Sequence, residues 1–149
     1  MTRSNQKSEN IPNVAIECVG VICFRGNDVL LIRRAKAPRK GDWSIPGGRI
    51  EANETEEQAA LRELYEETSI TAELGQKIIT LPAKFEDKSY ILHDYLAEWK
   101  SGTPQAEDDA DEACFMPITE IQKLNMWPKT TDVILQAYQK RASLLNASA

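Results

Sequence analysis

Apolar and polar positions fall into blocks along the chain, and the blocks predict the elements. Residues 14–24 are rich in β-branched and apolar side chains, and residues 29–32 resume that character. Between them Arg25-Gly26-Asn27-Asp28 supplies turn chemistry, so the two runs predict a β-hairpin. Residues 33–42 are basic and broken at Pro38 and Gly41, a loop carrying Arg33, Arg34, Lys36, Arg39 and Lys40. Residues 43–45 read as a short strand, and Pro46-Gly47-Gly48 reads as a turn. A helix over residues 56–68 follows, opened by Thr55 and Gln58 at capping-box spacing, with Glu56 and Glu57 in a first turn that favours anions. Residues 78–85 and 89–99 predict two strands around an acidic turn at Glu86-Asp87. An acidic loop over 101–111, a short strand over 112–116, a short helix over 117–124 and a longer one over 128–145 complete the pattern. Residues 1–13 are polar and read as a disordered tail, leaving 14–149 as one domain.

The predicted helix over 56–68 carries the most informative face. With Glu63 at 0° and about 100° per residue, Glu66 falls near −60° and Glu67 near +40°. Leu61, Leu64, Tyr65 and Thr68 fall between roughly 100° and 200°, so an apolar stripe is expected opposite the glutamates. The acidic face has two readings. It is a solvated face, or it is a site for a hard divalent cation. Glu63 with Glu66 and Glu63 with Glu67 are like-charge pairs at i,i+3 and i,i+4, each costing a few tenths of a kcal/mol. A cation removes that repulsion, and clustered carboxylate oxygens suit Mg²⁺ or Mn²⁺. The Gly-Gly turn just before the helix lets backbone carbonyls approach whatever the glutamates hold.

Composition narrows the chemistry. The chain has 149 residues, 42% of them hydrophobic and 28% charged, an ordinary globular balance. With 18 basic and 23 acidic residues the net charge is −5, which argues against a general binder of nucleic acid polymers. A small phosphorylated ligand needs only a local basic or metal-bearing pocket. No apolar run approaches the ~20 residues of a membrane helix and no signal-peptide core opens the chain, so a cytoplasmic protein with no membrane partner is expected. Cys18, Cys23 and Cys114 form no CxxC pair and read as free thiols, with Cys18 and Cys23 on opposite faces of one strand. His93 is the only histidine, which removes a multi-histidine zinc site and leaves it a structural or surface residue. The chemistry therefore falls to carboxylates.

Read continuously, Gly48-x5-Glu54-x7-Arg62-Glu63-Leu64-x-Glu66-Glu67-x-Ser69-Ile70 resembles the Nudix box, in which every charged position matches and Ser69 replaces a glycine. That glycine ordinarily ends the helix where φ > 0 is convenient, so Ser69 bears on the helix end and not on the metal chemistry. The resemblance implies an α/β fold, a Nudix-type α/β/α sandwich with a mixed β-sheet. It implies Mg²⁺-dependent hydrolysis, with Mn²⁺ as a substitute, of a nucleoside diphosphate linked to another moiety. Glu63, Glu66 and Glu67 would hold the metal or its water, with the Gly47 carbonyl as a further ligand. Arg62 would orient the carboxylates together with Glu54. The general base would be a box glutamate or a loop acid among Asp108, Asp109, Asp111 and Glu112. Of these Glu112 is favoured and is placed with the metal ligands.

Arg33, Arg34 and Trp43 are the candidate substrate contacts, although Trp43 and Phe85 are expected to serve mainly in packing. The partner implied is a small-molecule nucleotide, and a homodimer stays open. Substrate choice rests outside the box. Pro82, twelve residues past Ile70, lies near the place of a proline that marks ADP-ribose-type members, without matching it. An ADP-ribose-like sugar nucleotide is favoured. The alternatives are MutT-type hydrolysis of (deoxy)nucleoside triphosphates and, since every box carboxylate is kept, less readily a non-catalytic nucleotide sensor.

Overall fold

The computed structural model describes residues 14–107 and 109–148. The expected tail, residues 1–13, and the loop acid Asp108 lie outside the described residues. β1 (Ile16–Arg25) and β2 (Asp28–Arg34) form the predicted hairpin, with Phe24 opposite Val29 and Arg25 opposite Asp28. Gly26 takes the left-handed turn position at φ 61°.

Beyond the turn the two strands part, and residues 43–49 enter the fork. β3 (Trp43–Ser44) pairs with β2, and β4 (Gly47–Arg49) pairs with β1. Gly47-Gly48, expected as a turn, is therefore strand. The reason is a close backbone approach that local sequence does not reveal. A Cβ on Gly47 would lie 2.1 Å from the Val19 carbonyl oxygen.

β5 (Thr71–Phe85) begins seven residues before its expected start at residue 78, and β6 (Lys88–Ser101) follows through the acidic turn. β6 runs parallel to β1, and β5 closes the sheet antiparallel to β6. β7 (Ala110–Pro117) pairs antiparallel with β2 on its other side. The result is a mixed seven-stranded sheet of order β3-β2-β1-β6-β5, with β4 on β1 and β7 on β2. The short helix expected over 117–124 is a 3₁₀ helix, Ile118–Lys123.

Two helices cover the two faces. α1 (Glu56–Thr68) packs Ala59, Ala60 and Leu64 against Val19, Val21, Leu30 and Ile70. α2 (Pro128–Ser148) packs Val133, Ile134 and Ala137 against Ile22, Phe24, Leu31 and Leu96. Strand alternation explains the division, since successive residues of β1 feed opposite layers. Leu64 is fully buried, and shortening it to alanine would cost about 2–5 kcal/mol. The α/β/α sandwich implied by the box is the fold observed. Among the described residues no helix is long and apolar enough to cross a membrane.

The buried stripe of α1 is rotated from the expected one. Leu61 and Tyr65 are 40% and 57% exposed, whereas Glu67 is only 6% exposed. The small side chains of Ala59 and Ala60 make this the side on which the helix meets the sheet, and that turn of the helix carries Glu67 inward.

Candidate active site

The site is built on the phase of α1. The capping box forms as expected: the Gln58 N–H donates to Thr55 Oγ1 at 3.0 Å and the Thr55 N–H to Gln58 Oε1 at 2.9 Å. At the other end Ser69 adopts the left-handed conformation, φ 65° and ψ 18°, and its N–H donates to the Tyr65 carbonyl. With both ends fixed, Glu63 and Glu67 face Gly47-Gly48 on β4. A Cβ on Gly48 would lie 2.4 Å from the Glu63 carboxyl carbon, so the missing side chain is what admits the carboxylate. The Gly47 N–H donates to Glu67 Oε1 at 2.9 Å.

Arg62 ties the acids together. Its Nε and Nη2 donate to the two oxygens of Glu54 at 2.5 and 2.9 Å, a bidentate pair. Its Nη1 lies 3.0 Å from both Glu63 Oε2 and Glu66 Oε1, and Nη2 also donates to the Arg49 carbonyl at 3.0 Å. The hydrogen bond from Arg62 holds the Glu54 carboxyl down to about 2, and the same bond raises the Arg62 guanidinium further. Glu67 goes the other way. Burial pushes its carboxyl up to about 7, against the Gly47 N–H, and the nearby Glu63 charge adds to the rise.

Glu63, Glu67, Gly47 and Gly48 line one cleft of about 720 Å³. Among the described residues no three His, Cys, Asp or Glu side chains already form a metal cage. The donor set nevertheless fits a hard divalent cation. Glu63 and Glu67 are oxygen donors beside a strand without side chains, and Glu67 is a buried carboxylate with one backbone N–H on it. Glu66 is farther out, with a side chain 46% exposed and held by Arg62, and it does not line the cleft.

The remaining expected residues divide. Arg34 lines the cleft and donates to the Pro38 carbonyl at 2.7 Å, and Trp43 lines it as well. Arg33 and Glu112 do not. They sit opposite each other on β2 and β7 and form a salt bridge at 3.0 Å. Because β7 starts at Ala110, Glu112 is a strand residue, and it pairs with the side chain that alternates away from Arg34. Among the described acids of that region Asp109 lines the cleft, bridged to Lys36 Nζ at 2.8 Å. Lys36 and Arg39 of the basic loop line the cleft too, Arg39 held by Asp42 at 2.5 Å.

Apart from Phe85, the far side of the cleft was not in the expected set. Phe85 packs edge-on to Trp127 at 4.9 Å between centroids and tilted on Tyr90 at 5.9 Å. These residues come from β5, β6 and the approach to α2. Asp94, on the same face of β6 as Tyr90 and Leu92, also lines the cleft. The one sequence signal for it is a carboxylate inside an otherwise apolar alternation. His93 faces the opposite layer, its Nε2 at 2.6 Å from Glu17 Oε1 and its Nδ1 at 3.4 Å from Glu56 Oε2. Cys23 is buried under α1 while Cys18 borders the cleft, on opposite faces as the spacing predicts. Burial pushes their thiols up to about 12 and about 11, which keeps both protonated and unreactive.

Comparison with known proteins bears on the fold and the family. The family model described as NUDIX domain matches residues 16–137. An 8-oxo-dGTP diphosphatase of Proteus vulgaris is 42% identical over 84 residues, 55% of this chain and 75% of that protein. An ADP-ribose pyrophosphatase of Methanocaldococcus jannaschii is 33% identical over 115 residues, 76% of this chain and 66% of that protein. The crystal structure of a MutT NUDIX hydrolase from Burkholderia pseudomallei superposes with TM-score 0.76 at 23% identity, covering 83% of this chain and 98% of that one, a likeness of fold. With the box residues seated on α1 beside Gly47-Gly48 and the family model spanning most of the sheet, the chain belongs to the Nudix family of hydrolases.

Proposed function

We propose that the chain is a Mg²⁺-dependent pyrophosphohydrolase of nucleoside triphosphates, releasing a nucleoside monophosphate and pyrophosphate, with Mn²⁺ able to substitute. One observation carries this reading. A single cleft joins the Glu63–Glu67 wall, the cationic side chains Arg34, Lys36 and Arg39, and the Phe85–Trp127–Tyr90 aromatic group. Three cations beside the acids suit a polyphosphate chain better than a neutral ribose, and the aromatic side suits a base. The Proteus relative, named for a triphosphate substrate, supports the same choice. The ADP-ribose-like substrate favoured by the sequence stays as the second reading, supported by the Methanocaldococcus relative.

The reaction adds water to a phosphorus atom. A new P–O bond forms, the bridging P–O bond breaks, and pyrophosphate leaves with its electron pair. A divalent ion held by Glu63 and Glu67 with the Gly47 carbonyl would supply charge neutralisation and polarise the phosphoryl oxygens, with Glu66 outside the cleft and held by Arg62. Arg62 and Glu54 keep the glutamates in one orientation, so no reorganisation is needed as charge develops. Arg34, Lys36 and Arg39 draw the phosphate oxygens to the acids. Asp109, which lines the cleft, is the loop acid taken here to accept the water proton, in place of Glu112, the loop acid favoured from sequence.

A substrate panel with Mg²⁺ and product analysis tests this. Nucleoside monophosphate and pyrophosphate from a triphosphate support it. AMP and ribose phosphate from ADP-ribose, with triphosphates inert, move the assignment to the second reading.

A further inference from the structure

Asp94 has no part in the hydrolytic end of the cleft, yet it is as deeply buried there as Glu67. It is 6% exposed, and among the described residues no side-chain hydrogen bond or salt bridge reaches its carboxyl, on which the charge of the adjacent His93 is the one favourable influence. Burial pushes it up to about 6, a cost that an asparagine or leucine at this position would avoid. The carboxyl leans across Gly20, where a Cβ would lie 2.4 Å from Oδ1, so the glycine clears the floor for it. In the sheet Asp94 is opposite Gly20 and Gly20 is opposite Gly47. Two strand spacings, roughly 10 Å, therefore separate the Asp94 column from the glycine beside the metal-site glutamates. That is about the span of a nucleoside from base edge to phosphate. The aromatic group of Phe85, Tyr90 and Trp127 borders the same cleft and offers ring faces for stacking.

A buried carboxylate without a side-chain hydrogen bond calls for a ligand with N–H donors, and a pair of adjacent donors satisfies both its oxygens. Among the common bases guanine alone presents two adjacent donors, at N1 and N2. Adenine and cytosine each set one donor beside an acceptor. Uracil and thymine set one donor between two carbonyls.

We propose that Asp94 is the base-reading residue of the cleft and selects guanine nucleotides by accepting hydrogen bonds from N1–H and N2–H of the ring. This rests on the nucleotide reading above, so the test separates the two. Binding of GMP, IMP and AMP to the full chain is measured in EDTA, through the fluorescence of Trp43 and Trp127 or by calorimetry, with no turnover required. GMP is expected to bind about tenfold or more tighter than AMP, with IMP, which lacks the N2 donor, in between.

Asp94→Asn presents one acceptor and one donor, the complement of adenine. It should cut the GMP preference by about tenfold or more and improve AMP binding. Asp94→Leu should lose GMP affinity without gaining AMP. Both variants remove a buried charge without a side-chain hydrogen bond, so their Tm at pH 8 should hold or rise. Equal binding of GMP and AMP by the wild type, absence of GMP binding at millimolar concentration, or an unchanged GMP/AMP ratio in Asp94→Asn overturns the inference. Triphosphate hydrolysis without base preference overturns it too and leaves the hydrolase standing. Selective GMP binding with every triphosphate inert supports Asp94 as the reader while removing the hydrolase.

Discussion

Glu67→Gln separates the metal-site reading from a merely solvated acidic face. Glutamine keeps the size of the side chain and an oxygen for the Gly47 N–H, now at 2.9 Å from Glu67 Oε1. It removes a charge from a residue only 6% exposed. The carboxyl stands at about 7 in the fold against 4.5 ordinarily, so above pH 7 the folded chain carries an ionised group that its surroundings disfavour. That penalty is full above the folded value, shrinks as the pH falls through it, and vanishes below the unfolded value, where both states are protonated. Converted at 1.36 kcal/mol per pH unit, the penalty at pH 8 is at most about 3 kcal/mol. Without metal, Glu67→Gln should therefore raise Tm at pH 8 by roughly 3–10 °C, and by little or nothing near pH 4. Turnover should move oppositely, falling on the order of 10²-fold or more with Mg²⁺, because a misplaced Lewis acid forfeits several kcal/mol of transition-state stabilisation. Differential scanning fluorimetry in EDTA at the two pH values, with initial rates on the same preparations, measures both signs. An unchanged or lowered Tm at pH 8 refutes the buried-charge account. Wild-type turnover refutes the metal site.

Excess EDTA should abolish hydrolysis and added Mg²⁺ or Mn²⁺ restore it, and full activity in chelator would end the metal mechanism. Asp109→Asn should lower kcat by about tenfold or more with KM little changed, whereas Glu112→Gln should stay within about twofold, since it loses only an exposed bridge to Arg33; the reverse ranking in steady-state kinetics would return the loop-acid role to Glu112. Ser69→Gly relieves a left-handed serine at φ 65° and should stabilise by about 1 kcal/mol, roughly 2–4 °C in Tm, less the entropy cost of glycine. A fall in Tm would mean that the serine side chain contributes more to the helix end than its backbone costs.

Features fixed by neighbours in sequence were legible from sequence. The hairpin needed only two β-rich runs and Gly26-Asn27 between them. The helix over Glu56–Thr68 needed only its capping box, and it appears with the expected bounds although its buried stripe is rotated. Features fixed by distant backbone were not legible. Gly47-Gly48 carries turn chemistry, and only its pairing with β1 makes it strand. β5 opens on Thr71-Ala72-Glu73-Leu74-Gly75-Gln76-Lys77, whose register shifts between Leu74 and Lys77 break the alternation that would have marked a strand.

The same distinction accounts for the cleft. A helical wheel places Glu67 among the glutamates, but which side of a helix is buried depends on what it packs against. Here two alanines and two glycines bring helix and strand together around a carboxylate, a contact that no count of apolar residues anticipates. The aromatic side is assembled from Phe85, Tyr90 and Trp127, which are separated by up to about forty positions and joined only once β5, β6 and the start of α2 are in place. The box residues thus announce the hydrolytic end in one local stretch. The side of the cleft opposite the glutamates is distributed along the chain, so a single position such as Pro82, which does not match the proline of ADP-ribose-type members, does not decide between the two substrate readings. Pro82 lies on β5 opposite Ile91, not among the residues that line the cleft. If Asp94 reads the base as proposed, substrate choice is set on the floor between Gly20 and Asp94, where a buried carboxylate lies without a side-chain hydrogen bond and a ligand with adjacent N–H donors can supply one.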